Sequence, residues 1–198
     1  MTVEPTGRRE RKKAQTRRAL ADAALELFLE RGYDQVGVKD VAEAADVSVT
    51  TLFKHFSGKE ALVFDQDDDI EAALVAAVRE RPPGRSVPQA LREHLLLAQS
   101  RFAVHAADPR FPEFTRLVRD TPELSDYSQR MWTRHEAALA LAIAEASGAP
   151  ADDPGCAALA RFALEARSLI QRSADPVRAA DAAFSLLEHG WAAAHPTD

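Results

Sequence analysis

Cysteine is nearly absent from this chain. Of its 198 residues only Cys156 carries a thiol, which excludes an intrachain disulfide and a thiolate metal cluster. That leaves a small packing residue or a lone nucleophile as its possible roles. Long apolar runs are missing as well. The longest candidate, Ala137 to Ala144, is alanine-rich and bounded by Glu136 and Glu145, far short of the ~20 residues a membrane span needs. The first residues hold no apolar signal core, so the expectation is a cytoplasmic protein with no membrane partner. There is no G-x-S-x-G elbow, no glycine-rich phosphate loop and no H-E-x-x-H pair, so no enzyme and no cofactor are expected. Alternating strand patterns are lacking too.

What remains is a soluble globular composition, 46% hydrophobic and 28% charged, well away from the disordered class. The length suits a small head and a larger body, divided here at 1–57 and 58–198. The net charge of −6 taken alone argues against nucleic acid, but its distribution argues for it. Among residues 1–20, Arg8, Arg9, Arg11, Lys12, Lys13, Arg17 and Arg18 stand against only Glu4 and Glu10, so a strongly basic end precedes an acidic remainder. Screening over ~8 Å lets the near charges dominate at a phosphate backbone. A solvated basic tail would have the same composition.

Helical periodicity runs through almost the whole chain. Residues 1–9 read as disordered, followed by a helix from about Arg11 to Arg31 with Leu20, Ala24, Leu27 and Phe28 in one stripe. Gly32 reads as its left-handed stop. Short helices follow at Val38–Ala45 and Ser48–His55. Ser57 and Glu60 have capping-box spacing, which predicts a helix from about Gly58 to Arg81, stopped by Pro82–Pro83–Gly84. Ser86 and Gln89 repeat that spacing for a helix reaching about Ala107. Asp108–Pro109, Thr121–Pro122, Asp153–Pro154 and Asp175–Pro176 each pair an N-cap acceptor with a first-turn proline. They predict four more helices ending near Asp120, Ser147, Ser173 and Ala194. The expected fold is all-α with nine helices.

The segment YDQVGVKDVAEAADVSVTTLFKHFSGKEAL, from Tyr33 to Leu62, holds two short helices, a tight turn and a serine N-cap on the second helix. That is a helix-turn-helix signature, whose second helix enters the major groove while the first crosses the backbone. Ala42 is small where the helices approach, Val47 and Leu52 anchor the pair, and Val49, Thr50, Thr51 and Lys54 face outward. In register, Ala42, Val47, Ser48, Thr51, Leu52, His55, Phe56, Lys59, Glu60 and Leu62 make the segment resemble the N-terminal domain of the TetR family of repressors.

That resemblance implies an N-terminal three-helix DNA-binding domain joined to a C-terminal helical domain that binds an effector and dimerises. It implies double-stranded operator DNA as a partner, with Lys39, Ser48, Val49, Thr50, Thr51, Phe53, Lys54, His55 and Lys59 at DNA-binding positions. Thr50 and Thr51 suit a base edge or a thymine methyl, and Lys54 a guanine or phosphate. His55 and Lys59 match phosphate-binding positions. Val49 and Phe53 also read as packing residues, and His55 as an interior histidine. Three positions depart from the family pattern. Asp46 replaces a turn glycine, which its tolerance of the left-handed region permits. Phe53 stands where a tyrosine is common, removing one phosphate hydrogen bond. Gly37–Val38 replaces a capping threonine.

The body is where such a family binds its effector. Aromatic and polar candidates are Phe64, Gln99, Phe102, Phe111, Phe114, Arg116, Met131, Trp132, His135, Phe162 and Arg167, each of which also reads as ordinary core. From Arg116 through Glu123–Leu124 to Trp132 and Glu136 the sequence is similar to mycofactocin-type regulators of the same family. That likeness implies an acyl-CoA or other amphipathic effector. Two stripes suit a four-helix homodimer interface, Leu159, Phe162, Ala163, Ala166, Leu169 and Ile170, then Val177, Ala180, Phe184, Leu187 and Trp191. A monomeric bundle core would place them the same way. Asp65, Asp67, Asp68, Asp69 and Glu71 form an acidic run with no histidine to complete a metal site, so a solvated face is expected. An activator, a repressor without small-molecule input and a structural adaptor are the rival readings.

Overall fold

Polar caps and prolines decide where the helices of this chain begin, and apolar stripes decide what they bury. The computed structural model describes the backbone of residues 6–194 and the side chains of residues 7–190. Its helices are α1 (Thr6–Arg31), α2 (Val38–Ala44), α3 (Val49–His55), α4 (Asp67–Arg79), α5 (Val87–Ala106), α6 (Phe111–Asp120), α7 (Pro122–Ser147), α8 (Pro154–Arg172) and α9 (Pro176–Ala194). Short 3₁₀ turns occupy Tyr33–Gln35 and Glu60–Leu62. Among the described residues there is no strand, and the nine-helix, all-α expectation holds.

The caps act as their chemistry dictates. Ser48 Oγ accepts from Thr51 N at 3.1 Å, Ser86 Oγ from Gln89 N at 3.2 Å, Asp153 Oδ1 from Cys156 N at 2.8 Å and Asp175 Oδ1 from Arg178 N at 3.0 Å. Each satisfies a backbone donor that the first helical turn leaves orphaned. Gln89 does not complete a reciprocal box, because its Nε2 donates to Glu188 Oε1 at 3.1 Å.

Four local expectations are corrected. Residues 6–9 are helical rather than disordered; residues 1–5 lie outside the described residues. Gly32 has φ 86° and ψ 148°, a glycine-only conformation more extended than the left-handed cap. No continuous helix starts at Gly58. The chain makes the 3₁₀ turn at Glu60–Leu62, where no side chain caps the start, and α4 opens only at Asp67. Asp108–Pro109 does not open α6, which starts at Phe111 with Pro112 in its first turn. Near its end, α9 is broken at Gly190, whose φ of 78° and ψ of 169° no helix contains.

Packing divides the chain into two compact units, and not at a single cut. One holds the chain up to Asp67 together with Arg110–Gln129; the other holds Asp68–Pro109 and the chain from Arg130 onward. The core of the first is Leu20, Ala24, Phe28, Val41, Leu52, Phe56 and Leu62, joined by Leu124 from the start of α7. Phe114, Leu117 and Val118 of α6 pack against it. The core of the second is built from Leu74 and Val78 of α4, Leu91 and Leu95 of α5, Leu139 and Ile143 of α7, Ala163 and Ile170 of α8 and Phe184 of α9.

Candidate functional site

The turn between α2 and α3 is set by two short-range bonds, Asp46 N to the Glu43 carbonyl at 3.1 Å and Val47 N to the Ala42 carbonyl at 2.9 Å. Asp46 takes φ 53°, and no other non-glycine described residue has a positive φ. This is the left-handed conformation that a glycine would adopt more easily, occupied by one of the side chains that tolerates it best. Ala42 is 2% exposed and Leu52 0%, so the two helices are clamped onto α1 through small and branched side chains. At the start of α2, where a capping threonine is lacking, Asp40 Oδ2 reaches back to accept from Gly37 N at 2.7 Å.

Once Leu52 is buried, the 3.6-residue period turns the opposite face of α3 outward. Thr50 and Lys54 are exposed, Phe53 is 52% exposed, and Val49 and Thr51 are half-buried. Thr51 Oγ1 lies 2.9 Å from Ser48 Oγ, so its hydroxyl belongs to the cap as well as to the surface. Lys39 is exposed on α2. Phe53 is a surface side chain in this protomer; Val49 packs partly on the core.

The two positions matched to phosphate binding are tied into the head. Lys59 Nζ donates to the Tyr33 carbonyl and lies 3.8 Å from the centroid of the Tyr33 ring. Burial lowers its pKa against the raising influence of Asp34, Glu60 and Glu123. The same burial, with Glu60 adding to it, pushes the Tyr33 phenol far above its ordinary value. His55 is half-buried, and its Nδ1 has no hydrogen-bond partner. Burial first, then Arg17 and Lys13, lower its pKa, so at neutral pH the imidazole is uncharged. It can offer a hydrogen bond but no cation.

Arg17 holds this part of the head together. Its Nε and Nη2 donate to the Asp65 carbonyl at 3.1 and 2.8 Å, Nη1 donates to the His55 carbonyl, and the guanidinium lies 4.4 Å from the centroid of the Phe56 ring. From the sequence it counted only as one more positive charge. Its spacing of 38 and 48 residues from its partners leaves no local signal. By contrast Arg8, Arg9, Arg11, Lys12, Lys13 and Arg18 are all exposed on α1.

The effector candidates separate. Phe64 stacks on Tyr127 with centroids 5.2 Å apart and planes at 14°, and it lines the first unit's core with Phe114. Phe111 pairs with Phe114 at 6.2 Å, and Arg116 is exposed. In the second unit Met131 is 4% exposed and His135 0%, while Gln99, Phe102, Trp132 and Arg167 are half-buried. Trp132 meets His135 edge-on at 5.0 Å and lies under the Arg167 guanidinium at 3.8 Å.

The two stripes proposed for dimerisation also divide. Ala163, Ala166, Ile170, Ala180 and Phe184 are buried in the protomer's own core, and Leu159 and Leu187 pack partly against it. Phe162, Leu169 and Val177 are 54%, 51% and 53% exposed. The side chain of Trp191 lies outside the described residues. In the acidic run, Asp67 is buried and accepts from Tyr127 Oη at 3.5 Å, whereas Asp68 and Asp69 are exposed. No group of three or more potential metal ligands occurs among the described residues. No helix there is long and apolar enough to cross a membrane.

Comparison with known proteins bears on this geometry. The family described as "Bacterial regulatory proteins, tetR family" matches residues 20–65, which contain α2 and α3. The HTH-type transcriptional regulator TcmR of Streptomyces glaucescens is 34% identical over 157 residues, covering 74% of this chain and 67% of TcmR. MftR of Mycobacterium tuberculosis, a regulator named for mycofactocin biosynthesis, is 29% identical over 143 residues, 72% of this chain and 71% of its own. Among solved structures, Thermus thermophilus FadR, a TetR-family repressor in complex with lauroyl-CoA, has a similar fold. It gives a TM-score of 0.50 at 24% identity, covering 88% of this chain and 94% of FadR. These relatives are transcriptional regulators, not enzymes. With a capped, outward-facing α3 and a regulator matching two thirds of its own length, this chain belongs to the TetR family of helix-turn-helix transcriptional regulators.

Proposed function

We propose that the protein is a cytoplasmic homodimeric repressor that occupies a palindromic operator and is released by a small apolar or amphipathic effector. Residues 1–57 carry the proposed DNA-binding function, and residues 58–198 supply the effector and dimerisation body as well as Leu62, α6 and Leu124, which complete the head's core. The observation that carries the reading is the exposed face of α3. Thr50, Phe53 and Lys54 project from a helix whose other side is held by Leu52. With Ser48, Val49, Thr51 and Lys39 these side chains are the proposed contacts to base edges and backbone, Lys54 and Lys39 as cations. His55 contributes a neutral hydrogen bond, and Lys59 positions the head through Tyr33 rather than meeting phosphate alone.

Two such helices about one DNA turn apart, ~34 Å, fit successive major grooves. The proposed dimer seam is Phe162, Leu169 and Val177 with Leu159, Leu187 and Trp191, over an inner layer of Ala163, Ala166, Ile170 and Phe184. Exposed side chains of that size, on helices whose opposite face is already buried, favour a second copy as their cover. Phe162→Glu with Leu169→Glu is therefore expected to turn a dimer into a monomer in sedimentation velocity at micromolar concentration. A variant that stays dimeric would move the interface elsewhere.

The effector residues proposed in the body are Gln99, Phe102, Met131, Trp132, His135, Phe162 and Arg167. An acyl-CoA or other amphipathic compound is the proposed class; FadR, with lauroyl-CoA, is one family member that takes such a ligand. An effector shifts the equilibrium by no more than its difference in affinity for the two states, and α4, which follows the head in the chain, is the proposed transmitter.

Footprinting of the full-length protein on genomic DNA tests the reading as a whole. A protected, two-fold symmetric site spanning two adjacent major grooves is expected, and no protected site anywhere would end it. The basic first turns of α1 are proposed to neutralise further phosphates, so deleting residues 1–13 is expected to weaken binding to all sequences alike. The slope of log K against log salt should become shallower by about 0.9 for each phosphate that the shortened chain leaves unneutralised. An unchanged slope would remove the arm from the interface.

A further inference from the structure

In the second unit the half-buried cation of Arg167 has no acidic counterpart among the described residues. The guanidinium carbon of Arg167, on α8, lies over the ring of Trp132 of α7, 3.8 Å from its centroid. No hydrogen bond or ion pair to it occurs among the described residues, and its Nε is cut off from solvent without an acceptor. Burial lowers its pKa, with only the exposed Glu165, two residues away on the same helix, acting in the other direction. Arginine does not give up its proton in proteins, so a half-buried cation is left unneutralised in an aromatic setting. Such an arrangement costs stability unless something pairs with it.

Glu71 of α4 is set against other cations: its Oε2 lies 3.6 Å from Arg134 Nε and 3.9 Å from His135 Nε2, too far for a hydrogen bond, and it forms no ion pair with Arg167. A second group is also unanswered: the side-chain oxygen of Gln99, on α5, is buried with no donor, and α5 packs directly on α8. Elsewhere on the same helices arginines do find acids. Arg92 meets Asp181 at 2.5 Å and Arg79 meets Glu145 at 2.7 Å. Arg167 is half-buried and has no such acid among the described residues, whereas the unpaired Arg101 and Arg130 are exposed to solvent.

We infer that the effector carries an oxyanion on an apolar body, and that Arg167, set over Trp132, is the residue that binds the oxyanion while Gln99 accepts a hydrogen bond from a donor group on the ligand. This rests on the effector reading above and narrows its class. The planar fork of a guanidinium is matched to carboxylate and phosphate, donating two parallel hydrogen bonds to the oxyanion while the cation keeps its contact with the indole. A neutral amphipath would leave the cation as it stands. The anion could be a free carboxylate or the phosphates of a coenzyme A thioester, and the two are separable by experiment.

Titration calorimetry of the full-length protein with decanoate, decanoyl-CoA and 1-decanol is the test. At least one of the two anionic probes is expected to bind about tenfold or more tightly than decanol. Decanoate alone doing so identifies a carboxylate; decanoyl-CoA alone identifies the phosphates. In Arg167→Met the anion's advantage should vanish while decanol affinity stays within about threefold, and Arg167→Lys should keep part of it because the charge remains. The decanol arm serves as the fold control, since a collapsed body would lose both ligands. Equal affinity for decanol and the anions, an anion preference that survives Arg167→Met, or binding of neither anion would each overturn the inference. Operator binding followed in the same preparations separates these outcomes from failure of the regulator reading, because DNA retained and then released by an uncharged compound leaves a regulator without an anionic effector.

Discussion

Thr50→Glu combined with Lys54→Glu is expected to abolish retardation of operator DNA, raising Kd about 100-fold or more at ~0.1 M salt. Both side chains are exposed on the outward face of α3. The double change removes one cation and adds two carboxylates where a duplex would present phosphates and base edges. A good base contact is worth ~1–3 kcal/mol, and each change would be felt twice in the proposed symmetric dimer. A combined penalty of ~3 kcal/mol corresponds to the stated factor. Because neither residue is buried, thermal stability should stay within about 0.5 kcal/mol of the parent. Retained, sequence-specific binding by a folded double variant would show that α3 does not read the operator.

The second large effect lies midway between Thr50 and Lys54, at a side chain that points inward. Leu52→Ala is expected to cost ~2–5 kcal/mol of unfolding free energy, since Leu52 is 0% exposed and its removal leaves a cavity beneath α2 and α1. Its neighbour Phe53, 52% exposed, should behave in the opposite way. Phe53→Ala leaves stability almost unchanged and acts on DNA affinity. Denaturant unfolding of the two variants side by side, read through the midpoint at constant slope, checks the pair. Equal destabilisation by both would mean that the period of α3 has been placed on the wrong face.

Helix termini were the most legible part of the sequence, because a cap is a bond between residues two or three apart. Ser48, Ser86, Asp153 and Asp175 all accept the backbone N–H three residues on, as their spacing implied. Where the same logic failed, a different local geometry won. After Ser57 the chain makes a 3₁₀ turn whose Leu62 and Val63 enter the head's core, so burial of that apolar pair took precedence over immediate helix propagation.

Local pattern also located the reading head. Asp46 in the turn, Ala42 where the helices approach and Leu52 inward are nearest-neighbour requirements of two helices crossing at short range. Which cations stay free was not of that kind. Arg17 and Lys59 look like their basic neighbours in the sequence, yet one joins α1 to the carbonyls of His55 and Asp65 and the other is spent on Tyr33. The same limit applied to α8, where period alone put Phe162 and Ala163 in one stripe although the first is 54% exposed and the second 1%.

By itself, then, the order of residues determined the nine helices of the described residues, the capped starts at Ser48, Ser86, Asp153 and Asp175 and an outward α3, since each depends on contacts within a few positions along the chain. Tertiary structure alone decided that α6 and Leu124 complete the head, that Arg17 and Lys59 are committed, and that Arg167 is not. Those outcomes turn on which distant groups meet, and periodicity carries no record of a partner forty residues away.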